Sequence, residues 1–165
     1  LVDLDLRKPS IHNKLQIKSE PGVAELISGK YKLTDVVIMD QLTSGHIIPA
    51  GAPSNNPPDL LGNDIMDQLL KGLEKRYDYV IIDTPPVLAV SDAKILSQKV
   101  DATIFVAHWA ETKREVVIQG IKEIQSSRGY LAGVVLSQVH VEKHSKYGYG
   151  DSGAYYGKIK KYYSS

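Results

Sequence analysis

The sequence predicts an α/β fold, a mostly parallel sheet flanked by helices. Short apolar runs alternate along the chain with segments of helical periodicity, the pattern of strand–helix–strand units. The runs are continuously apolar, as in Val80-Ile81-Ile82 and Val134-Val135-Leu136, which suits strands buried on both faces. A length of 165 residues, 42% hydrophobic and 24% charged, fits one globular core.

The elements follow in order. Leu1-Val2 reads as the end of a strand already under way, so a natural start upstream of Leu1 is expected. Asp3 follows, then a loop with Pro9. Gly22 to Ser28 is a short helix stopped by Gly29. Thr34 caps another that runs through Val36, Val37 and Ile38. His46-Ile47-Ile48 is a short strand closed by Pro49 and Gly51. Pro53 to Pro58 is a loop. A long helix spans about Asp59 to Arg76, with Leu61, Ile65, Leu69, Leu70 and Leu73 at helical spacing and Gly62-Asn63 able to break its first turn. Tyr79 to Ile82 is a strand ending at Asp83 and the turn Thr84-Pro85-Pro86. Ser91 begins a helix through Leu96. Ala102 to Ala107 is a strand. Thr112 begins a helix through Ile124, with Val116, Ile121 and Ile124 as core candidates. Leu131 to Leu136 is the last strand. Residues 1–140 form the domain. In residues 141–165 apolar periodicity stops, and six of the ten tyrosines stand among Gly, Ser and Lys.

Composition excludes several classes. There is no cysteine, hence no disulfide, zinc ribbon or thiol chemistry. Twenty basic residues against nineteen acidic ones leave a formal charge of +1, without the basic excess of a nucleic-acid binder. No apolar run reaches the length of a membrane span. His140 and His144 stand four apart, but no third ligand accompanies them and no metal site is expected there. His12, His46 and His108 read as solvated or locally hydrogen-bonded, Trp109 as packing on a neighbouring loop, and Lys113 and Arg114, unfavourable at a helix start, as a solvated face ahead of the alternative of serving an anion or a partner.

The chemistry concentrates in carboxylates at strand ends, where open parallel sheets bind ligands. Asp3 and Asp5 lie in Leu1-Val2-Asp3-Leu4-Asp5-Leu6-Arg7, and Asp83 in Val80-Ile81-Ile82-Asp83-Thr84-Pro85-Pro86. An aspartate after an apolar strand can hold a metal-bound water beside a nucleotide phosphate. A second can take the proton of an attacking hydroxyl. Aspartate also simply favours turns. The two segments taken together point to phosphoryl transfer, in which positioning and charge stabilisation supply most of the catalysis.

These segments resemble those of the bacterial tyrosine kinases of capsule and exopolysaccharide biosynthesis. Asp3-Leu4-Asp5-Leu6-Arg7 with Pro9 is similar to their Walker A-prime element, and Tyr77 to Pro86 to their Walker B element. Gly51, Pro53, Asn56, Pro57 and Ser91-Asp92-Ala93 match as well. The tail tyrosines Tyr147, Tyr149, Tyr155, Tyr156, Tyr162 and Tyr163 resemble their autophosphorylation cluster. The resemblance implies a P-loop fold of the MinD/ParA class that uses ATP and magnesium. It makes Asp3 the base, with Asp3, Asp5 and Asp83 around magnesium, partly through water. Arg7 either meets the nucleotide or braces the loop. Ser137 and Gln138 stand where relatives often carry an asparagine near adenine. Implied too are ring-like homo-oligomers in which each tail enters the next subunit's site, loosened as phosphate adds negative charge. A membrane chain-length regulator, fused or separate, and the cytoplasmic face of the bacterial inner membrane complete the picture. The family's phosphate-binding loop has no match from Leu1 onward, so weak ATP binding is expected of this chain alone. Two further readings are a MinD/ParA-like ATPase switch, whose membrane-seeking tail would carry an apolar stripe in place of tyrosines, and a non-catalytic interaction module keeping the fold.

Overall fold

Residues 1–140 are described by the computed structural model. Strand β1 (Val2–Asp3) pairs in parallel with β4 (Ile82–Asp83), Val2 beside Ile82 and Asp3 beside Asp83. Ile48 joins β1 on its other side through a parallel bridge to Val2. A second parallel pair is β5 (Thr103–His108) with β6 (Leu131–Ser137). A small antiparallel pair joins β2 (Ile38–Met39) to β3 (His46–Ile47).

The helices are α1 (Ile11–Leu15), α2 (Val23–Ile27), α3 (Leu33–Val36), α4 (Pro57–Gly62), α5 (Asp64–Glu74), α6 (Asp92–Ser97) and α7 (Arg114–Ser126). The core gathers around β1. Val2, Leu4 and Leu6 bury against Val23, Ile27, Val36, Leu61, Met66, Leu73 and Leu96. Helix α2 is docked by its own first turn: Glu25 Oε2 accepts from Gly22 N at 2.8 Å and Oε1 from Ala52 N at 3.1 Å. A Cβ on Gly22 would overlap the backbone of Pro49 and Gly51, so glycine permits the close approach.

Several expectations are corrected. The single helix over 59–76 is two, because the Asn63 side chain accepts from Met66 N at 3.0 Å and caps a new helix. The restart turns Met66 inward and leaves Ile65 exposed. The helix beginning near Thr34 ends at Val36. Its first turn is closed by Asp35, which accepts from Lys32 N at 2.9 Å, and Ile38 belongs to a strand. The Pro9 loop leads into α1, anchored by the single buried residue Ile11. In the 79–82 run only Ile82 pairs, together with Asp83, while Tyr79 and Ile81 are exposed. Val116 is exposed, and α7 packs instead through Ile124 and Gly120.

Helix α7 covers one face of the β5–β6 sheet only in part, since Val134 and Leu136, in register with Phe105 and Ala107, are 46% and 48% exposed. Gly120 of α7 approaches the Phe105 ring so closely that a Cβ would overlap it. In-register neighbours of a parallel pair share a face, so Ile104, Val106 and Val135 lie on the opposite face, and all three are exposed. Burial on both faces, expected from the continuous apolar runs, is therefore not seen for this pair. No helix among the described residues is long and apolar enough to cross a membrane.

Candidate active site

The parallel register of β1 and β4 brings Asp3 and Asp83 side by side at the carboxyl ends of adjacent strands. Leu4 N donates to the Asp83 carbonyl at 2.9 Å, and Asp3 N to the Ile48 carbonyl at 3.0 Å, so the strand ends are held from both sides. The buried side chains of Leu4 and Leu6 anchor the segment that carries Asp3 and Asp5.

Asp3 is fully buried. Its Oδ1 accepts from Asp5 N at 3.1 Å and its Oδ2 from Ile11 N at 3.3 Å, which folds the loop between β1 and α1 around the carboxylate. Burial raises its proton affinity above the ordinary aspartate value; these N–H groups oppose the rise, and the charge of Asp83 adds to it. Asp83 is exposed at the strand end. Its proton affinity is also raised, first by desolvation and then by the nearby Asp5 charge, against the pull of Lys14. Asp5 Oδ1 caps the next turn, accepting from Arg7 N at 3.2 Å and Lys8 N at 3.0 Å. Three carboxylates thus crowd one end of the sheet, and two of them bind protons more tightly than usual. Perturbed carboxylates gathered at strand ends make this the candidate functional site.

The donor set is all oxygen, which suits magnesium or calcium over zinc or copper. No group of three His, Cys, Asp or Glu side chains converges as a direct metal cage among the described residues.

Arg7 grips Asp92, Nε to Oδ2 at 2.9 Å and Nη2 to Oδ1 at 3.0 Å, and its charge also acts on Asp5. Ser137 and Gln138 stand at the carboxyl end of β6 in the other sheet. The Ser137 hydroxyl donates to the Ala107 carbonyl at 3.2 Å, and Gln138 takes a left-handed φ of 56°. No hydrogen bond or ion pair joins them to the aspartates among the described residues. Trp109 meets His140 edge-on with ring centroids 5.9 Å apart. His108 Nδ1 lies 2.9 Å from the Trp109 carbonyl oxygen, and His46 Nδ1 lies 2.5 Å from the Tyr77 hydroxyl. His12 departs from its expected solvation: its Nδ1 is buried with no partner among the described residues. His144 and the tyrosines Tyr147, Tyr149, Tyr155, Tyr156, Tyr162 and Tyr163 lie outside the described residues.

Sequence reasoning did not find the Asp92 partnership or the influence of Lys14. Asp92 opens α6, where an acidic residue is already explained by the helix dipole. Its partner is 85 positions away, beyond the reach of spacing arguments.

A family model described as an AAA domain matches residues 1–129. The chain is 33% identical over 155 residues to the tyrosine-protein kinase YwqD of Bacillus subtilis, covering 90% of this chain and 63% of that protein. It superposes on the crystal structure of the VpsO kinase domain with a TM-score of 0.80 and 37% identity, covering 84% of this chain and 69% of that one. The cell-division ATPase MinD of Pyrococcus furiosus shares the fold, with a TM-score of 0.65 at 18% identity, covering 82% of this chain and 56% of that one. The chain spans less than two thirds of YwqD and 20% of other curated tyrosine-protein kinases, from Klebsiella pneumoniae and Escherichia coli.

Proposed function

The chain belongs to the AAA-domain family and, within it, to the bacterial tyrosine kinases, and from that premise we propose that it is the part of an ATP-dependent protein-tyrosine kinase domain bearing the base and metal side of the site. The observation that carries this reading is the in-register pair Asp3 and Asp83 at the ends of adjacent parallel strands, with Asp5 in the loop that follows.

Each residue has a role in this reading. Asp83, exposed at the strand end, and Asp5 hold the water shell of magnesium. When bound, magnesium would supply positive charge beside the phosphates of ATP. Asp3 accepts the phenol proton of the substrate tyrosine. Its raised proton affinity moves it toward the range a general base needs. Its two N–H donors fix its orientation, and the Asp5–Ser10 loop must shift for a phenol to reach it. Arg7 stays on Asp92. Ser137 and Gln138 lie toward the adenine.

The substrates are the protein's own tyrosines Tyr147, Tyr149, Tyr155, Tyr156, Tyr162 and Tyr163, presented by residues 141–165 to the site of a neighbouring subunit in a ring. Residues 1–140 are the catalytic part. The protein works at the cytoplasmic face of the inner membrane with a chain-length regulator, fused or separate, in capsule or exopolysaccharide synthesis. Its relatives with tyrosine-kinase names and the tyrosines beyond residue 140 favour this over an ATPase switch.

The test is autophosphorylation of the complete natural protein with ATP and magnesium, compared with Asp3→Asn and Asp83→Asn. Each substitution is expected to lower the rate by about 100-fold or more, as for groups that stabilise transition-state charge. Undiminished phosphotyrosine in both variants would refute the assignment.

A further inference from the structure

We propose that Asp92 is a positioning residue for phosphotransfer: acting through Arg7, it fixes the loop that presents Asp5, and Arg7 thereby serves the loop rather than the nucleotide. This rests on the reading of the acidic strand ends as a phosphotransfer site.

The contact is a two-point fork. Arg7 Nε and Nη2 donate to Asp92 Oδ2 and Oδ1 at 2.9 and 3.0 Å, the planar geometry in which guanidinium and carboxylate fix each other's orientation. Asp92 is fully buried, and removing Arg7 would leave its carboxylate without this ion-pair partner. It opens α6, which Leu96 ties into the core at 1% exposure, and α6 lies against α4. Asp92 is therefore a fixed post.

Arg7 is the loop end of the clamp. Its own backbone N–H and that of Lys8 are the donors that Asp5 Oδ1 accepts. The guanidinium clamps one side of a tight turn, and the Asp5 carboxylate forms the other. The buried Leu6 side chain, its carbonyl accepting from Ser54 N at 2.9 Å, and Asp5 N on Asp3 Oδ1 hold the start of the turn, and the fork holds its Arg7 end. Without the clamp, the Arg7 end of the turn loses its side-chain anchor, and the direction of Asp5 rests on the turn's own N–H bonds and on Leu6. Asp5 also adds to the field at Asp83, so its displacement alters the electrostatics at both metal-facing carboxylates. Partners that orient a metal-facing carboxylate without touching the metal are typically worth about 10- to 100-fold in affinity or rate.

The experiment uses the complete natural protein and reads the autophosphorylation rate against both ATP and magnesium. Arg7→Gln and Asp92→Asn are each expected to lower kcat by about 10-fold and to raise the magnesium concentration for half-activation several-fold, with KM for ATP within about twofold of wild type. The double variant should be no worse than either single one, because both remove the same clamp. Arg7→Lys keeps a charge beside Asp92 and so keeps the fold, but it cannot form the fork; it should show the same magnesium shift. Leu69→Ala, a core change away from this turn, should lower the melting temperature and leave the magnesium midpoint in place. A purely structural role for the pair would make the Arg7 and Asp92 variants behave like Leu69→Ala, and that result overturns the proposal. So does an ATP KM raised about 10-fold by Arg7→Gln and unmoved by Asp92→Asn, the signature of a guanidinium that touches nucleotide. Full activity in Asp83→Asn would instead refute the site itself, so the two failures are distinguishable.

Discussion

Leu4→Ala probes the link between core and site most directly. Leu4 lies between Asp3 and Asp5, is fully buried, and packs in the cluster around β1. Replacing a buried leucine by alanine costs about 2–5 kcal/mol, the spread reflecting how far the surroundings collapse. Core strand β1 is held on both sides, by β4 and by the bridge to Ile48, so collapse is restricted here and the cost falls at about 3–4 kcal/mol. For a domain of this size that lowers the melting temperature by roughly 10 °C. The assay is urea unfolding followed by circular dichroism, with an unchanged m-value showing that stability alone has moved. Leu42→Ala is the control: Leu42 is 95% exposed, so the change should stay within about 0.5 kcal/mol. Since Leu4 N also donates to the Asp83 carbonyl, the loosened strand should lower phosphotransfer below 20 °C, where the variant is still folded. A cost below about 1 kcal/mol would refute the reasoning, because no fully buried leucine directly after a tightly held strand should be that cheap to remove.

Three other outcomes are expected. Asp83→Asn should abolish phosphotransfer yet melt at a higher temperature than wild type at pH 7–8. Desolvation and the Asp5 charge raise the proton affinity of Asp83, so the wild-type fold loses stability as pH rises through that folded-state value; the advantage of the variant should shrink toward pH 4, and an advantage that grows with acid would contradict this. Gly22→Ala should destabilise strongly, by about 2 kcal/mol or more on thermal melting, because its Cβ meets the backbone of Pro49 and Gly51, which cannot move aside as a side chain can. The isolated chain should bind an apolar fluorescent dye at the Ile104, Val106 and Val135 face, and Val106→Asp should reduce that fluorescence more than Leu42→Asp does.

The parallel arrangement was legible because Val80-Ile81-Ile82, Ile104 to Ala107 and Val134 to Leu136 are continuous apolar runs bounded by polar turns. Boundaries were lost where a local side-chain bond overrides periodicity. Asn63 restarts the helix and exchanges Ile65 for Met66 in the core, and Asp35 closes its turn on Lys32 while Ile38 leaves for a strand. Helix α1 escaped notice because one buried residue, Ile11, makes no period. Of the candidate site, Asp3 and Asp83 were visible as strand-end carboxylates with Asp5 just beyond, and the register places Asp3 and Asp83 side by side. The Arg7–Asp92 fork joins residues 85 apart and depends on the angle at which α6 meets the loop, which no spacing along the chain encodes.

The central claim is a kinase site joined to its own substrate, and phosphate mapping by mass spectrometry tests it most directly. The complete natural protein is incubated with ATP and magnesium beside its Asp83→Asn variant. Phosphate is expected on tyrosines between Tyr147 and Tyr163 in the wild type, and on none of them in the variant. An active wild type that leaves all six tail tyrosines unmodified would contradict the account, as would equal labelling of the two proteins.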